Sequence, residues 1–322
     1  MRVGLVLGSG GARGYAHIGV IDALRERGFD VVGISGSSMG ALVGALQAAD
    51  KLDEFTTWAS ALTQSAVLRL LDPSLTAAGV LRAEKILATV REIIGPRTIE
   101  SLPIPYTAVS TDLIAGKSVW LQRGPIDAAI RASIAIPGVI APHLVDGRLL
   151  ADGGILDPLP MAPLAAVNAD LTIAVSLNAS DPAPPVESPS ATAELLARMR
   201  RSTTSLIDRA AASTLLDGPT ARSVLTRFSN AVDSIDHVGD PEVDTEDDNQ
   251  VPRLGGFEVM NRTIEISQAA LMRHTLAAYP PDLLIEVPRT VCRSLEFYRA
   301  DEVIEIGHEL ACAALDSLDL RD

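Results

Sequence analysis

The first 50 residues alternate between short apolar runs and helical patterns, and no other feature of the chain constrains its fold as strongly. Residues 3–7 (VGLVL) form a continuous apolar run that ends at a glycine, and residues 31–35 form a second run. Continuous runs of this length are typical of strands buried on both faces, as in a parallel sheet. Helical periodicity follows each run, over 15–27 and over 38–49. The pattern predicts an α/β fold with a central, mostly parallel sheet flanked by helices.

Further elements follow from periodicity and from turn residues along the rest of the chain. The predictions are a mainly helical stretch over 51–105, a hairpin over 106–121, a helix over 126–136, strands over 149–151 and 171–177, a helix over 257–278, a strand over 282–287 and a final helix over 300–315. The alternation of strands and helices therefore continues on both sides of one region of unusual composition.

That region covers residues 179–255. Residues 180–190 hold four prolines and three serines, which is typical of a linker or an exposed loop. Residues 191–232 have helical periodicity and six arginines against three acidic residues. Residues 233–248 hold eight acidic residues and no basic one, which predicts a solvated loop.

The basic stretch 191–232 has two interpretations. Leu195, Met199 and Leu206 fall on one side of a helical wheel, with arginines beside them. Such a helix can lie at an anionic bilayer surface, which would give the protein a peripheral membrane contact. The more common arrangement is that the apolar stripe packs on the domain and the arginines face water.

Net charge, cysteines and hydropathy exclude several classes of protein. The formal net charge of −14 makes nucleic acid an unfavourable partner, because both carry negative charge. Cys292 and Cys312 lie in no metal or CxxC pattern, so we expect free thiols in a reducing compartment. No stretch reaches about 18 apolar residues, and the N-terminal apolar run is too short for a signal peptide. We therefore expect a cytoplasmic protein without a transmembrane helix.

Residues 36–40 (GSSMG) match the pattern GxSxG between a predicted strand and a predicted helix. A sharp turn at this place lifts the hydroxyl of Ser38 above the end of the sheet, and the small flanking residues let the backbone turn tightly. The helix that follows directs its free N–H groups and its positive end toward the same point. The pattern indicates a nucleophilic serine, and the alternative is a turn that only connects strand to helix.

Residues 8–14 (GSGGARG) form a second glycine-rich turn directly after a strand. A dinucleotide-binding GxGxxG motif, as in an oxidoreductase, would need a glycine where this chain has Arg13. A phosphate-binding Walker motif would need a Gly-Lys-Ser/Thr sequence that the turn lacks. Successive glycines also expose backbone N–H groups that can stabilise a developing oxyanion. The remaining interpretation is a loop that only requires positive φ angles.

A nucleophilic serine needs a base, and no histidine lies in a pattern typical of a catalytic triad. The histidines are His17, His143, His237, His274 and His308. Asp152 is the better candidate, because it follows a short strand and precedes two glycines that leave a carboxylate uncovered. Partial burial would strengthen such a base by raising its pKa.

Taken together, four segments resemble the patatin-like phospholipase family, and in particular its small bacterial members. The segments are GSGGARG at 8–14, GSSMG at 36–40, ASIAIPG at 132–138 and DGGILDPLP at 152–160, in the order and spacing of the family. The stretch YRADEVIEIGHE at 298–309 is similar to the helix that closes these domains. The resemblance covers about 1–178 and 256–316, and implies a three-layer α/β/α domain over 1–322 with 179–255 as an insert.

The resemblance implies a Ser–Asp dyad with Ser38 as nucleophile and Asp152 as base. It also implies an oxyanion hole built from Gly10, Gly11, Ala12 and Arg13. The implied reaction is hydrolysis of a fatty-acyl ester of a (lyso)phospholipid or another lipid through an acyl-enzyme, with no metal and no organic cofactor. The Arg13 side chain would either bind an anionic head group or anchor the loop, and anchoring is the preferred interpretation.

The sequence departs from the family at two places. Asp157 stands where the family often has asparagine, which adds a negative charge near Asp152. The insert 179–255 contains no motif of the family. A catalytically silent lipid-binding or scaffold protein on the same fold is the alternative function, and the intact Ser38 and Asp152 argue against it.

Overall fold

The predicted apolar runs form one mixed sheet in the computed structural model, which describes residues 1–70, 84–179 and 256–318. Within these ranges the sheet has eight strands. The strands are β1 (Arg2–Leu7), β2 (Asp30–Ser37), β3 (Tyr106–Asp112), β4 (Lys117–Leu121), β5 (His143–Val145), β6 (Arg148–Asp152), β7 (Leu171–Ala179) and β8 (Leu283–Pro288).

The strand order is β5-β6-β3-β2-β1-β7-β8, and β4 pairs with β3. The neighbours from β3 to β8 in this order are all parallel. The pairs of β3 with β4, β3 with β6 and β5 with β6 are antiparallel. This architecture confirms the predicted α/β fold with a mostly parallel sheet, to which antiparallel strands add an edge.

Helices connect and cover these strands. They are α1 (Ala16–Glu26), α2 (Met39–Ala48), α3 (Leu52–Ser60), α4 (Gln64–Leu70), α5 (Glu84–Ile94), α6 (Ile126–Ser133), α7 (Gly256–Ala278) and α8 (Ala300–Asp316). A 3-10 helix over Gly11–Tyr15 leads into α1. Helix α6 ends earlier than predicted, because Ser133 is followed by a turn that precedes Pro137. Strand β5 was not predicted, since three residues are too few to show alternation.

Alternating side chains of the central strands enter two different cores. In β1, Leu5 and Leu7 belong to a large core with α1, α2 and α8, whereas Val6 lies in a smaller core with Met161 and Met272. Met272 belongs to α7, so α7 and the 3-10 helix Ala162–Ala166 cover the second face of the sheet. This two-sided burial explains why the parallel strands are continuous apolar runs.

The chain divides into two units, one formed by Met1–Asp181 with Met260–Asp322 and the other by Pro182–Val259. The described residues belong to the first unit apart from 256–259. The predicted helix over 191–232 and the predicted acidic loop over 233–248 lie outside the described residues, so a single domain over 1–322 with an insert stays a prediction.

No helix in the described part of the chain is long and apolar enough to cross a membrane. Cys292 and Cys312 are free, as predicted.

Candidate active site

Strand β3 brings the ends of β2 and β6 together. The parallel pairing of β2 with β3 ends where Ser37 lies opposite Val109. The antiparallel pairing of β6 with β3 ends where Asp152 lies opposite Ser110. Because Val109 and Ser110 are consecutive, β2 and β6 approach each other end to end along β3. The residue that follows β2 is Ser38, which therefore meets the last residue of β6.

Ser38 occupies a tight turn between β2 and α2. Its backbone has φ 56° and ψ −122°, a conformation that L-residues rarely adopt and that costs on the order of 1–3 kcal/mol. Helix α2 begins at the next residue, Met39. A Cβ atom at Gly40 would lie 2.1 Å from the carbonyl oxygen of Leu7, so the last glycine of GSSMG permits the close packing of α2 on β1. The segment has the geometry that the GxSxG pattern predicts.

The hydroxyl of Ser38 donates a hydrogen bond of 2.6 Å to Oδ2 of Asp152. The other carboxylate oxygen, Oδ1, accepts a hydrogen bond of 2.8 Å from the Gly154 N–H. Ser38 and Asp152 are 3% and 4% exposed, so water does not solvate this pair freely. Burial raises the pKa of Asp152 to about 6, while the hydrogen bonds from Ser38 and Gly154 act in the opposite direction. The structure thus brings the two predicted residues into direct contact.

Ser133 is a component of the site to which the sequence assigned no role. Its hydroxyl oxygen accepts a hydrogen bond of 3.0 Å from the backbone N–H of Ser38. The same hydroxyl donates to the carbonyl oxygen of Val109 at 2.5 Å. Ser133 thereby ties the strained turn to β3 at the residue where β2 ends. The only signal in the sequence was its place in the segment ASIAIPG, which reveals no contact.

The glycine-rich loop is held to its surroundings at several backbone positions. The N–H groups of Gly8 and Ser9 donate to the carbonyl oxygens of Val175 at 3.0 Å and Pro158 at 2.9 Å. The buried Nε2 of His17 lies 2.8 Å from the carbonyl oxygen of Gly8. These contacts fix the loop at the carboxyl end of β1, beside the start of α2.

Of the predicted oxyanion-hole residues, Gly10 and Gly11 have available donors. In the part of the chain that the structure describes, neither N–H donates to a protein acceptor. The N–H of Ala12 already donates to the carbonyl oxygen of Ser294 at 2.9 Å, so it is not available in this arrangement. Gly11 has φ 59°, and a Cβ atom there would lie 2.4 Å from the Ser294 oxygen. A side chain at position 11 would therefore displace the loop.

The Arg13 side chain is buried beneath the loop. Its Nε donates to the Gly10 carbonyl oxygen at 3.2 Å, and one terminal nitrogen donates to the Arg289 carbonyl oxygen at 3.5 Å. The other terminal nitrogen forms an ion pair with Glu265 of α7 at 3.3 Å. With its guanidinium occupied in this way, Arg13 links the loop to α7. The arrangement favours the anchoring role over binding of a head group.

No histidine among the described residues hydrogen-bonds to Ser38 or Asp152; His237 lies outside them. Burial lowers the pKa of His17 to about 4, so this ring is neutral at ordinary pH. His308 contacts Glu26 on the surface between α8 and α1. Within the same ranges, no group of three or more His, Cys, Asp or Glu side chains could hold a metal ion.

Asp157 is a further carboxylate close to Asp152 in the sequence. Its N–H donates to the Gly153 carbonyl oxygen at 2.9 Å, and burial raises its pKa to about 6. The Asp152 carboxylate accepts its hydrogen bonds from Ser38 and Gly154 alone among the described residues, so Asp157 is not part of the Ser–Asp contact.

Comparisons with known proteins identify the family of the chain. A family model described as patatin-like phospholipase matches residues 5–165, which is half of the chain. An uncharacterized NTE family protein of Mycobacterium tuberculosis is 66% identical over an alignment that covers 100% of this chain and 93% of the relative. The crystal structure of VipD from Legionella pneumophila is 16% identical to this chain in an alignment that covers 98% of this chain and 66% of VipD, with a TM-score of 0.44.

More distant relatives match through one part of their length. Neuropathy target esterase sws of Drosophila melanogaster is 33% identical over 186 residues, which cover 56% of this chain and 13% of the fly protein. Patatin-like phospholipase domain-containing protein 6 of Mus musculus is 32% identical over 186 residues, which cover 56% of this chain and 14% of the mouse protein. With the family model and the mycobacterial relative, these matches establish that the chain belongs to the patatin-like phospholipase family, a family of lipid-ester hydrolases.

Proposed function

We propose that this protein hydrolyses fatty-acyl ester bonds of (lyso)phospholipids or related lipids through an acyl-enzyme on Ser38. One observation carries the proposal: the Ser38 hydroxyl donates to the Asp152 carboxylate at 2.6 Å while the serine backbone is held in a strained turn. A nucleophile in contact with a base, at the start of a helix, is the arrangement that covalent acyl transfer requires.

In the first step, Asp152 accepts the Ser38 proton as the serine oxygen attacks the acyl carbonyl carbon. A carboxylate in water is a weak base for a hydroxyl group. Burial raises the pKa of Asp152 to about 6, which makes the carboxylate more basic while leaving it ionised at neutral pH. Gly154 holds the second carboxylate oxygen, so Oδ2 stays directed at Ser38.

The attack places negative charge on the former carbonyl oxygen. The N–H groups of Gly10 and Gly11 are the donors we assign to this oxyanion, because they are successive and have no protein acceptor among the described residues. Arg13 holds the Gly10 carbonyl oxygen and thereby supports the loop from below. The N–H of Ser38 is bound to Ser133 and does not contribute in this arrangement.

The proton on Asp152 passes to the leaving alcohol oxygen as the ester bond breaks, which completes acylation of Ser38 and ends the first half of the reaction. Asp152 then accepts a proton from a water molecule that attacks the acyl-enzyme, and the fatty acid leaves as Ser38 recovers its proton. The same two groups thus serve both half-reactions, with Gly10 and Gly11 stabilising both tetrahedral intermediates. No metal or organic cofactor enters this scheme.

The names of the esterase and phospholipase relatives support a lipid ester as the substrate. A silent lipid-binding protein would not need the strained serine or the short bond to Asp152, and this observation favours catalysis. We keep the cytoplasm as the expected location, with peripheral access to membrane lipid.

The decisive experiment is labelling with a fluorophosphonate probe followed by turnover of a panel of lipid esters. Ser38→Ala should abolish labelling and lower turnover by several orders of magnitude, about 10⁶-fold as for another serine hydrolase. Ser37→Ala is the matched control, because it removes the neighbouring buried hydroxyl, which has no hydrogen-bond partner among the described residues, and should retain labelling. Substantial turnover by a folded Ser38→Ala protein would exclude the proposed scheme.

A further inference from the structure

The segment 289–294, which follows β8, lies against the glycine-rich loop. The carbonyl oxygen of Ser294 accepts a hydrogen bond from the Ala12 N–H at 2.9 Å. The carbonyl oxygen of Arg289 accepts one from a terminal nitrogen of Arg13 at 3.5 Å, and the same guanidinium holds the loop from below. The segment therefore borders the loop whose N–H groups we assign to the oxyanion.

The strand order puts Arg289 at the same edge of the sheet as Ser38. Strands β2, β1, β7 and β8 are parallel neighbours, so the residues that follow them share the carboxyl edge. Arg289 is the first residue after β8. Strand β8 lies two strands from β1, or about 10 Å at 4.8 Å per strand. The glycerol unit of a phospholipid separates the phosphate from the ester carbonyl by a distance of this order.

The Arg289 guanidinium has no partner in the part of the chain that the structure describes. Its Nε is buried without a hydrogen-bond acceptor, and no carboxylate lies within ion-pair distance of the group. By contrast, Arg27, Arg91 and Arg299 each have a carboxylate partner. Buried polar groups in proteins nearly always find a partner, and a cation needs one more than a neutral group. The Arg289 side chain is therefore suited to an acceptor supplied by a ligand.

The balance of charge beside Arg289 is positive. Glu265 pairs with Arg13 at 3.3 Å and with Arg262 at 3.7 Å. Together with Arg289, two arginines thus share a single carboxylate at this place, whereas the whole chain has 27 basic and 41 acidic residues. This local charge favours an anionic ligand. The planar fork of a guanidinium matches two oxygens of a phosphate group.

We propose that Arg289 binds the phosphate group of the lipid substrate, so that the protein prefers an acyl glycerophosphate ester over the neutral acyl glycerol. The proposal rests on the proposed function, since Gly10 and Gly11 hold the acyl carbonyl oxygen. Arg13 then supports the loop, and Arg289 recognises the head group. The phosphate takes no part in the bond changes, so this contact should act on KM more than on kcat.

Two soluble esters that differ only in the phosphate test the proposal, octanoyl glycerophosphate and octanoyl glycerol. Arg289→Gln should lower the ratio of their kcat/KM values about 10–100-fold, because a charge-assisted contact is lost. Arg289→Lys keeps the charge without the planar fork and should lose less. Arg27→Gln is the matched control, since Arg27 pairs with Asp316 and precedes β2 at the opposite edge of the sheet. It should change the ratio by less than about twofold.

A binding measurement separates recognition of the phosphate from hydrolysis. The ligand is the octyl ether of glycerophosphate, which has no ester bond, and the protein carries Ser38→Ala. Adding Arg289→Gln should raise the Kd of this ether about 10–100-fold in calorimetry. Inorganic phosphate serves as the competitor that distinguishes a lipid phosphate from a free phosphate ion.

An equal loss for both esters in Arg289→Gln, which leaves their ratio unchanged, would overturn the proposal. If Arg289→Gln abolished competition by inorganic phosphate but left the Kd of the ether unchanged, the site would belong to a free phosphate ion instead of the substrate. Because the ether is bound by the Ser38→Ala protein, absence of ester turnover in the intact chain would contradict the proposed hydrolysis and leave phosphate binding by Arg289 standing.

Discussion

The parallel and antiparallel parts of the sheet differ in how far they bury their apolar residues. Strands β1 and β7 are buried on both faces, between the large core and the smaller core under α7. Strands β4, β5 and β6 bury one face and expose the other, where Trp120, Leu144 and Leu149 reach the surface. The parallel part supplies Ser38 and the antiparallel part supplies Asp152. The site therefore lies at the junction of a region that is buried on both faces with an edge that exposes apolar side chains on one face.

After loss of the nucleophile Ser38 itself, the largest effect should come from the antiparallel side of this junction. Asp152→Asn keeps the size of the side chain but removes the base, and we expect kcat/KM on a soluble ester to fall about 10³–10⁴-fold. His→Ala at positions 237, 274 and 308, one at a time, should retain most activity. A folded histidine variant that matched the loss in Asp152→Asn would replace the dyad by a triad.

A smaller effect should come from the contact that ties the two parts together. Ser133→Ala removes the hydrogen bonds to the Ser38 N–H and the Val109 carbonyl oxygen, and kcat should fall about 10–100-fold with KM nearly unchanged. Ser35→Ala is the matched control, because the Ser35 hydroxyl also donates to a buried carbonyl oxygen, that of Pro160, but does not touch Ser38. If both variants lose stability alike and neither loses kcat, Ser133 has only a structural role.

The pH profile tests the environment of Asp152. Its pKa is raised to about 6, and the protonated carboxyl cannot accept the Ser38 proton. Activity should be full above this pH and fall about tenfold per pH unit well below it, measured as kcat/KM of a soluble ester under conditions that keep the protein folded. A profile that stays flat down to pH 4 would mean that Asp152 is not the base.

The smallest effect concerns the parallel side. Arg13→Ala should lower turnover about tenfold or less, and equally for lysophospholipid and for uncharged ester substrates, because the guanidinium holds Gly10 and Glu265. Glu265→Gln should reproduce part of the loss. A defect confined to anionic substrates would instead assign Arg13 to the head group.

The sequence by itself determined the parts of this protein that depend on local patterns. Continuous apolar runs identified the buried strands, because strands covered on both faces carry few polar residues. The turn at Ser38 and the loop at residues 8–14 were predictable since glycine spacing reflects local backbone geometry. The strand before Asp152 and the two glycines after it made this residue a candidate base, and resemblance to a family supplied its pairing with Ser38.

The tertiary structure decided which of these parts meet. Some contacts of the site join residues that are far apart in the sequence: Ser38 lies 114 residues from Asp152 and 95 residues from Ser133. Such contacts depend on which strands are neighbours and on the register between them. Periodicity shows which face of a strand is buried but not its partner, so neither β5 nor the end-to-end meeting of β2 and β6 could be predicted. The hydrogen bond from the Ala12 N–H to the Ser294 carbonyl oxygen could not be predicted either, because folding brings these two distant residues together.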